Sequence, residues 1–265
     1  MKNGDIMSWQ LIVGELVGTF LLILLGNGVC AANNFKNMHS KGAGWLLIAI
    51  GWGLAIFVGA LAAIGIGGLG HLNPAVTLYW LISFGKHTTG EAWGNGILMI
   101  IMQFVGALLA QILLNVMNWK HIKENDLTLL KASSATGASH ENAWVQNVLY
   151  EFVGTTVLIL MIYLIEKSKF TILDPLPVAL VIMSIGMSLG GVTGFALNPA
   201  RDWSPRLVYQ MTVLFFFKDG IKDEKTGEVV KAPSANWVYG SIVPGATPFA
   251  AGLLVGIIPL VETFM

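Results

Sequence analysis

The chain has 265 residues, 15 of them Lys or Arg and 15 Asp or Glu, so its formal net charge is zero. Hydrophobic residues make up 55% and charged residues only 11%, with a mean hydropathy of +0.70, which is the composition of a membrane protein. A neutral chain has no basic field for nucleic acid, and the single cysteine, Cys30, excludes an internal disulfide framework.

A helix needs about 20 apolar residues to cross the hydrocarbon layer. The first such segment is Leu11–Ala32. One lysine, Lys2, precedes it and Glu15 lies within it, so it reads as an uncleaved span rather than a signal peptide. Trp45–Ile66 is the second span, and the Gly-rich stretch Ala62–Gly70 leads from it into a short apolar segment from Asn73 to about Phe84. Ile97–Leu114 is the third span and Lys120–Glu141 a charged connection. The fourth and fifth are Trp144–Ile165 and Val178–Gly191, the latter reaching back to Leu176. A second short apolar segment runs from Asn198 to about Met211, and a mixed-charge loop, Lys218–Lys231, precedes the sixth span, Trp237–Leu260.

Both short segments open on the same tripeptide, Asn73-Pro74-Ala75 and Asn198-Pro199-Ala200. Asn is a preferred N-cap, and Pro suits the first helical position, where its missing N–H is no loss. Each segment is therefore a half-helix whose N-terminus presents unpaired donors and about half a positive charge. Such ends are tolerated at membrane depth only where they line a polar path. The chain also repeats itself: Gly14–Leu24 (GELVGTFLLIL) matches Tyr150–Leu160 (YEFVGTTVLIL). The expected fold is all-α, with six membrane-spanning helices and two re-entrant half-helices in one channel domain, 1–265. Its repeats are 8–117 and 145–262, joined by 118–144. Three spans per half invert the second repeat.

Lysines argue against the simplest orientation. With the N-terminus inside, Lys2, Lys86, Lys167 and Lys169 are cytoplasmic, whereas Lys36, Lys41, Lys120, Lys123, Lys131, Lys218, Lys222, Lys225 and Lys231 are outside. The positive-inside rule prefers the reverse, although long loops count little in it.

The segments GHLNPAVT at Gly70–Thr77 and TGFALNPARDWSPR at Thr193–Arg206, with Glu-x-Val-Gly-Thr heading each half, resemble the aquaporin family. Asp202 directly after Arg201 and the long Lys218–Lys231 insertion are similar to its glycerol-facilitator branch, with Arg206 as the matching base. Ala62–Gly70 departs from that branch by one extra residue. The resemblance implies a homotetramer in the cell membrane with cytoplasmic termini and one pore per subunit. It implies passive conduction of glycerol, other small uncharged solutes and water, excluding ions and protons, with no cofactor. A water-selective channel and a coupled secondary transporter are the alternatives.

By the same resemblance Trp52, Gly186, Phe195 and Arg201 form the selectivity filter. On periodicity alone the first three are ordinary core residues. Two aromatic faces suit the CH edge of a polyol, and Arg201 suits its hydroxyls. Gly186 leaves space where water-selective relatives carry His. An arginine at membrane depth must line water or be paired. Asn73 and Asn198 are expected to cap their helices through oxygen and face the pore through NH₂. Glu15 and Glu151, one per half at equivalent positions, are expected to accept the N–H groups of a re-entrant loop rather than to relay protons. His71 is expected to hold loop backbone. No phosphate loop, metal-ligand spacing or paired nucleophile and base is present, so no enzyme is indicated.

Overall fold

The structure is a computed structural model and describes residues 9–83, 90–168, 175–222 and 227–262. The expected half-helix end at Phe84 and the lysines Lys2, Lys86, Lys169 and Lys225 lie outside the described residues.

The first half comprises α1 (Trp9–Asn34), α2 (Trp45–Ile66), the half-helix α3 (Pro74–Ser83) and α4 (Gly90–Met117). Two short helices, α5 (Trp119–Glu124) and α6 (Leu127–Ala132), lie in the connection. The second half comprises α7 (Trp144–Ser168), α8 (Leu176–Ser188), α9 (Pro199–Phe216), α10 (Trp237–Ser241) and α11 (Thr247–Glu262). A π-helical turn, Ile242–Ala246, joins α10 to α11, so that Trp237–Glu262 acts as one apolar span.

Among the described residues, five helical segments are long and apolar enough to cross a membrane. The fifth span in sequence order is helical only over Leu176–Ser188, 13 residues or about 20 Å. The second half-helix is longer than expected. It continues to Phe216, where Asn115 of α4 donates to Thr212 at 3.1 Å and fixes its flank. The mixed-charge loop carries a two-residue antiparallel ladder, Ile221–Lys222 (β1) with Val229–Val230 (β2).

These helices bury small residues and turn large ones outward. On α2, Gly53, Gly59 and Ala63 are buried, while Leu46, Leu54 and Leu61 are about half exposed. That is the pattern of helices whose outer face meets lipid, where association depends on close packing rather than on escape from water. Gly18 and Gly59 make the α1–α2 crossing possible. A Cβ on Gly18 would sit 2.8 Å from the Gly59 oxygen, and one on Gly59 would sit 2.6 Å from the Gly18 oxygen. Across the two halves, Gly252 of α11 lies so close to α3 that a Cβ there would meet the Ala75 oxygen at 2.6 Å.

The connection is not simply solvated. Asp126 caps α6 by accepting from Thr128 N at 2.8 Å. Ser133, Ser134 and Thr136 are buried. Asn27 of α1 donates to Gln111 at 2.6 Å and to the Ser134 oxygen at 3.1 Å, and Gln111 donates to Asn115 at 2.8 Å. A buried polar ladder thus draws residues 133–136 into the helix bundle.

Candidate conduction path

The N-termini of α3 and α9 meet inside the molecule. Asn73 Oδ1 accepts from Ala75 N at 2.9 Å, and Asn198 Oδ1 accepts from Ala200 N at 3.0 Å and Arg201 N at 3.2 Å. Each oxygen caps its own helix, with Pro74 and Pro199 in the first position. Each Nδ2 also crosses to the other half: Asn73 donates to the Leu197 oxygen at 2.8 Å and Asn198 to the Leu72 oxygen at 2.7 Å. An amide nitrogen has two donors, so one N–H on each Asn remains beyond this reciprocal bond.

The backbone ahead of each Asn is bent to suit. Leu72 and Leu197 take positive φ of 52° and 55°, and so do Gly70 at 70° and Phe195 at 39°. For the three residues other than glycine this conformation costs on the order of 1–3 kcal/mol each. Two carboxylates hold the loops in place. Glu15 accepts from His71 N at 2.8 Å and Leu72 N at 2.7 Å. Glu151 accepts from Ala196 N at 3.0 Å and Leu197 N at 2.9 Å. Side chains complete both sites, with Gln103 donating to Glu15 at 2.7 Å and Thr193 to Glu151 at 2.6 Å. These acids therefore replace the water that lipid denies the loop N–H groups. His71 holds its loop by its backbone, while its ring lies 3.2 Å from the Thr77 hydroxyl through Nδ1.

Three cavities share walls in series. On the side of the connection an upper cavity of about 400 Å³ is bordered by Trp45, Trp52, Thr136, Phe195 and Arg201 among others. On the opposite side a lower cavity of about 430 Å³ is bordered by Ile56, His71, Asn73, Tyr79, Leu158 and Glu166 among others. Between them lies a waist of about 30 Å³. Trp52, Phe195 and Arg201 border both the waist and the upper cavity; Ile56, Asn73 and Leu158 border both the waist and the lower one. At roughly 10–15 Å³ of such volume per water, the waist holds on the order of two water positions.

The waist is apolar on most sides and cationic on one. Trp52 is held by a contact from its Nε1 to Cys30 Sγ at 3.4 Å. The Arg201 guanidinium carbon lies 4.1 Å from the centre of the Trp52 ring. Arg201 is only 6% exposed, and its Nη1 has no hydrogen-bond partner among the described residues. A charged group at this depth is expensive unless it is paired or lines a polar path, and Arg201 borders both the waist and the upper cavity.

Gly186 sits differently from the expectation that it opens onto the path. It does not border the waist or either wide cavity. The Phe195 ring covers it: a Cβ on Gly186 would lie 3.1 Å from Phe195 Cε2 and Cζ and 3.2 Å from Ala49 Cβ. The room that this glycine leaves is taken up by Phe195.

Asp202 and Arg206 are both fully buried, Arg206 in the wall of the upper cavity. Arg206 donates to Asp202 through Nε at 2.7 Å and Nη2 at 3.0 Å. The same guanidinium donates to the oxygens of Thr136 at 2.8 Å and Ala235 at 2.5 Å, while Asp202 accepts from Thr136 N at 2.8 Å and Oγ1 at 2.7 Å. The pair fastens residues 133–136 and 233–236 over the start of α9 and cancels its own charge. Arg201 is left as the unneutralised cation beside the waist.

Sequence reasoning passed over Gln103, Thr136, Thr193 and Trp45. Gln103, Gln111 and Asn115 are polar residues within an apolar span, on one face by helical spacing, and that signal marks buried polar partners. Thr136 and Thr193 carry no comparable mark, because their partners come from distant segments.

Membrane-spanning helices and two half-helices meeting N-terminus to N-terminus, at a waist between open cavities, define a multi-pass membrane protein with a transmembrane path. The chain belongs to the major intrinsic protein family, whose profile residues 3–256 match. It is 46% identical over 250 residues to a Mycoplasmoides gallisepticum protein named probable glycerol uptake facilitator protein, covering 93% of this chain and 95% of that one. It is 36% identical to the glycerol uptake facilitator protein of Bacillus subtilis, covering 92% and 81%. Among solved structures it is similar to the aquaglyceroporin from Plasmodium falciparum, with a TM-score of 0.73, 25% identity, and coverage of 96% and 98%.

Proposed function

We propose that this protein is a passive channel for glycerol and other small uncharged solutes, with water alongside, and that it excludes ions and protons. The carrying observation is the waist of about 30 Å³, which Arg201, Trp52 and Phe195 border together, with the Arg201 guanidinium carbon 4.1 Å from the centre of the Trp52 ring. A polyol satisfies both sides at once. Its hydroxyl oxygens accept from Arg201, and its CH edge lies against the two rings. Water satisfies the donor and leaves the rings unpaired. The glycerol-facilitator names of the relatives agree with this reading.

Past the waist, the second N–H of Asn73 and of Asn198 offers the next donors, behind which stand the positive ends of α3 and α9. At the waist a cation meets Arg201 and two helix N-termini, and no carboxylate borders it among the described residues, so shedding its hydration there is uncompensated. Gly186 acts through Phe195, by giving its ring a seat. Glu15, Glu151 and His71 hold the loops, and Asp202 with Arg206 holds the segments above α9. The carboxylate oxygens of Glu15 and Glu151 are occupied by backbone donors, which speaks against a coupled transporter. The working unit of this reading is one domain, 1–265, with repeats 8–117 and 145–262 joined by 118–144. It assembles as a homotetramer in the cell membrane with cytoplasmic termini.

Stopped-flow light scattering on proteoliposomes tests the reading. Glycerol and water should equilibrate faster than in empty liposomes, and a salt gradient should not dissipate. Glycerol flux equal to that of empty liposomes would overturn it.

A further inference from the structure

Trp45 opens α2 and stands in the wall of the upper cavity, next to Phe195. Its indole Nε1 donates to the Gly186 oxygen at 2.7 Å. Its ring meets Phe195 edge-on, with centroids 5.7 Å apart and planes at 77°. A Cβ on Gly190 would lie 2.5 Å from Phe195 Cδ1 and 3.0 Å from Trp45 Cζ2, so both rings close on the same glycine. Phe195 holds φ at +39°, a conformation that side chains adopt only when their surroundings impose it. The floor of its seat is Gly186 and Gly190, which give no lateral support. The edge of Trp45 supplies that support.

We propose that Trp45 is a positioning residue for selectivity: it clamps Phe195 against the Gly186–Gly190 floor and so sets the aperture of the waist. This rests on the proposed role of Phe195 at the waist. The indole N–H has a second consequence. It ties the start of α2 to the Gly186 oxygen of α8, behind the Phe195 ring. The donor Arg201 and the aromatic faces then decide what passes, and their spacing depends on where Phe195 stands.

The test is the ratio of four-carbon to three-carbon polyol permeability in proteoliposomes, measured for Trp45→Ala, Trp45→Phe, Phe195→Ala and the double variant Trp45→Ala/Phe195→Ala. Trp45→Ala should raise the ratio roughly fivefold or more, as expected for one lost aromatic contact and one lost hydrogen bond. Trp45→Phe keeps a ring edge and loses the N–H, so it should fall between; it also carries the test if Trp45→Ala does not fold. In the Phe195→Ala background Trp45→Ala should add no change, because the residue that it positions is gone. A residue needed only for stability would give equal changes in both backgrounds. If Phe195→Ala alters the ratio and neither Trp45 variant does, the role of Trp45 is overturned and the waist stands. If Phe195→Ala leaves the ratio at its parental value, the waist assignment falls and this inference with it.

Discussion

At the residue scale the least expected position is Gly186. Its missing side chain makes room for an aromatic ring rather than for the solute, so substitutions there should act through Phe195. Gly186→Ala places a Cβ 3.1 Å from the ring, tight enough that Phe195 must shift toward the waist. Overpacking of this kind costs about 1–3 kcal/mol. Glycerol permeability should fall by about threefold or more relative to water, read by stopped-flow with both solutes on one preparation. Gly186→His cannot be built beside Phe195 and should stop glycerol; Gly186→His/Phe195→Thr should restore water but not glycerol. Parental glycerol flux through folded Gly186→His would show that Phe195 does not stand at the constriction. Sequence spacing pointed to Asn73, Asn198 and Arg201 because each breaks an apolar rule in a way that physics must answer. The relation of Gly186 to Phe195 carried no such mark, since a glycine among small residues reads as packing.

At the scale of elements, the Asp202–Arg206 pair spans one turn of α9 and reaches two distant segments. Arg206 is fully buried, so removing its partner leaves an uncompensated charge. Asp202→Asn should cost about 3–5 kcal/mol, seen as earlier thermal unfolding in detergent. The double variant Asp202→Leu/Arg206→Met should lose less than the single one, because it removes both charges. A single variant as stable as the parent would mean that the pair contributes only at the surface of the loops. The identities of these two residues were legible, but their partners at Thr136 and Ala235 were not, because those contacts join segments with no shared pattern. The helices divide in the same way. Apolar length located the long spans. It could not predict where α8 stops or where α9 stops: α9 is extended by packing against α4, and α8 ends before a Gly-rich turn.

At the scale of the whole molecule the path is built from two halves that hold no titrating group at the waist. The two acids that hold the re-entrant loops are engaged by loop backbone, and no carboxylate borders the waist among the described residues. An imposed pH gradient should therefore leave glycerol flux unchanged, and proton leak should match that of empty liposomes when followed with an internal pH dye. Glycerol uptake that rises with the proton gradient would require a coupled mechanism. The crossed amide bonds of Asn73 and Asn198 also impose an order in time. The Leu72 carbonyl awaits a donor 126 residues further along the chain. At roughly 5–20 residues per second the ribosome needs about 6–25 s to make that stretch. For that interval the first re-entrant loop sits in the translocating chain without its counterpart, and α3 lacks the α11 surface at Gly252. The earliest half to be synthesised is thus among the last to settle, and a polypeptide interrupted in the connection would present an open polar loop for degradation to recognise.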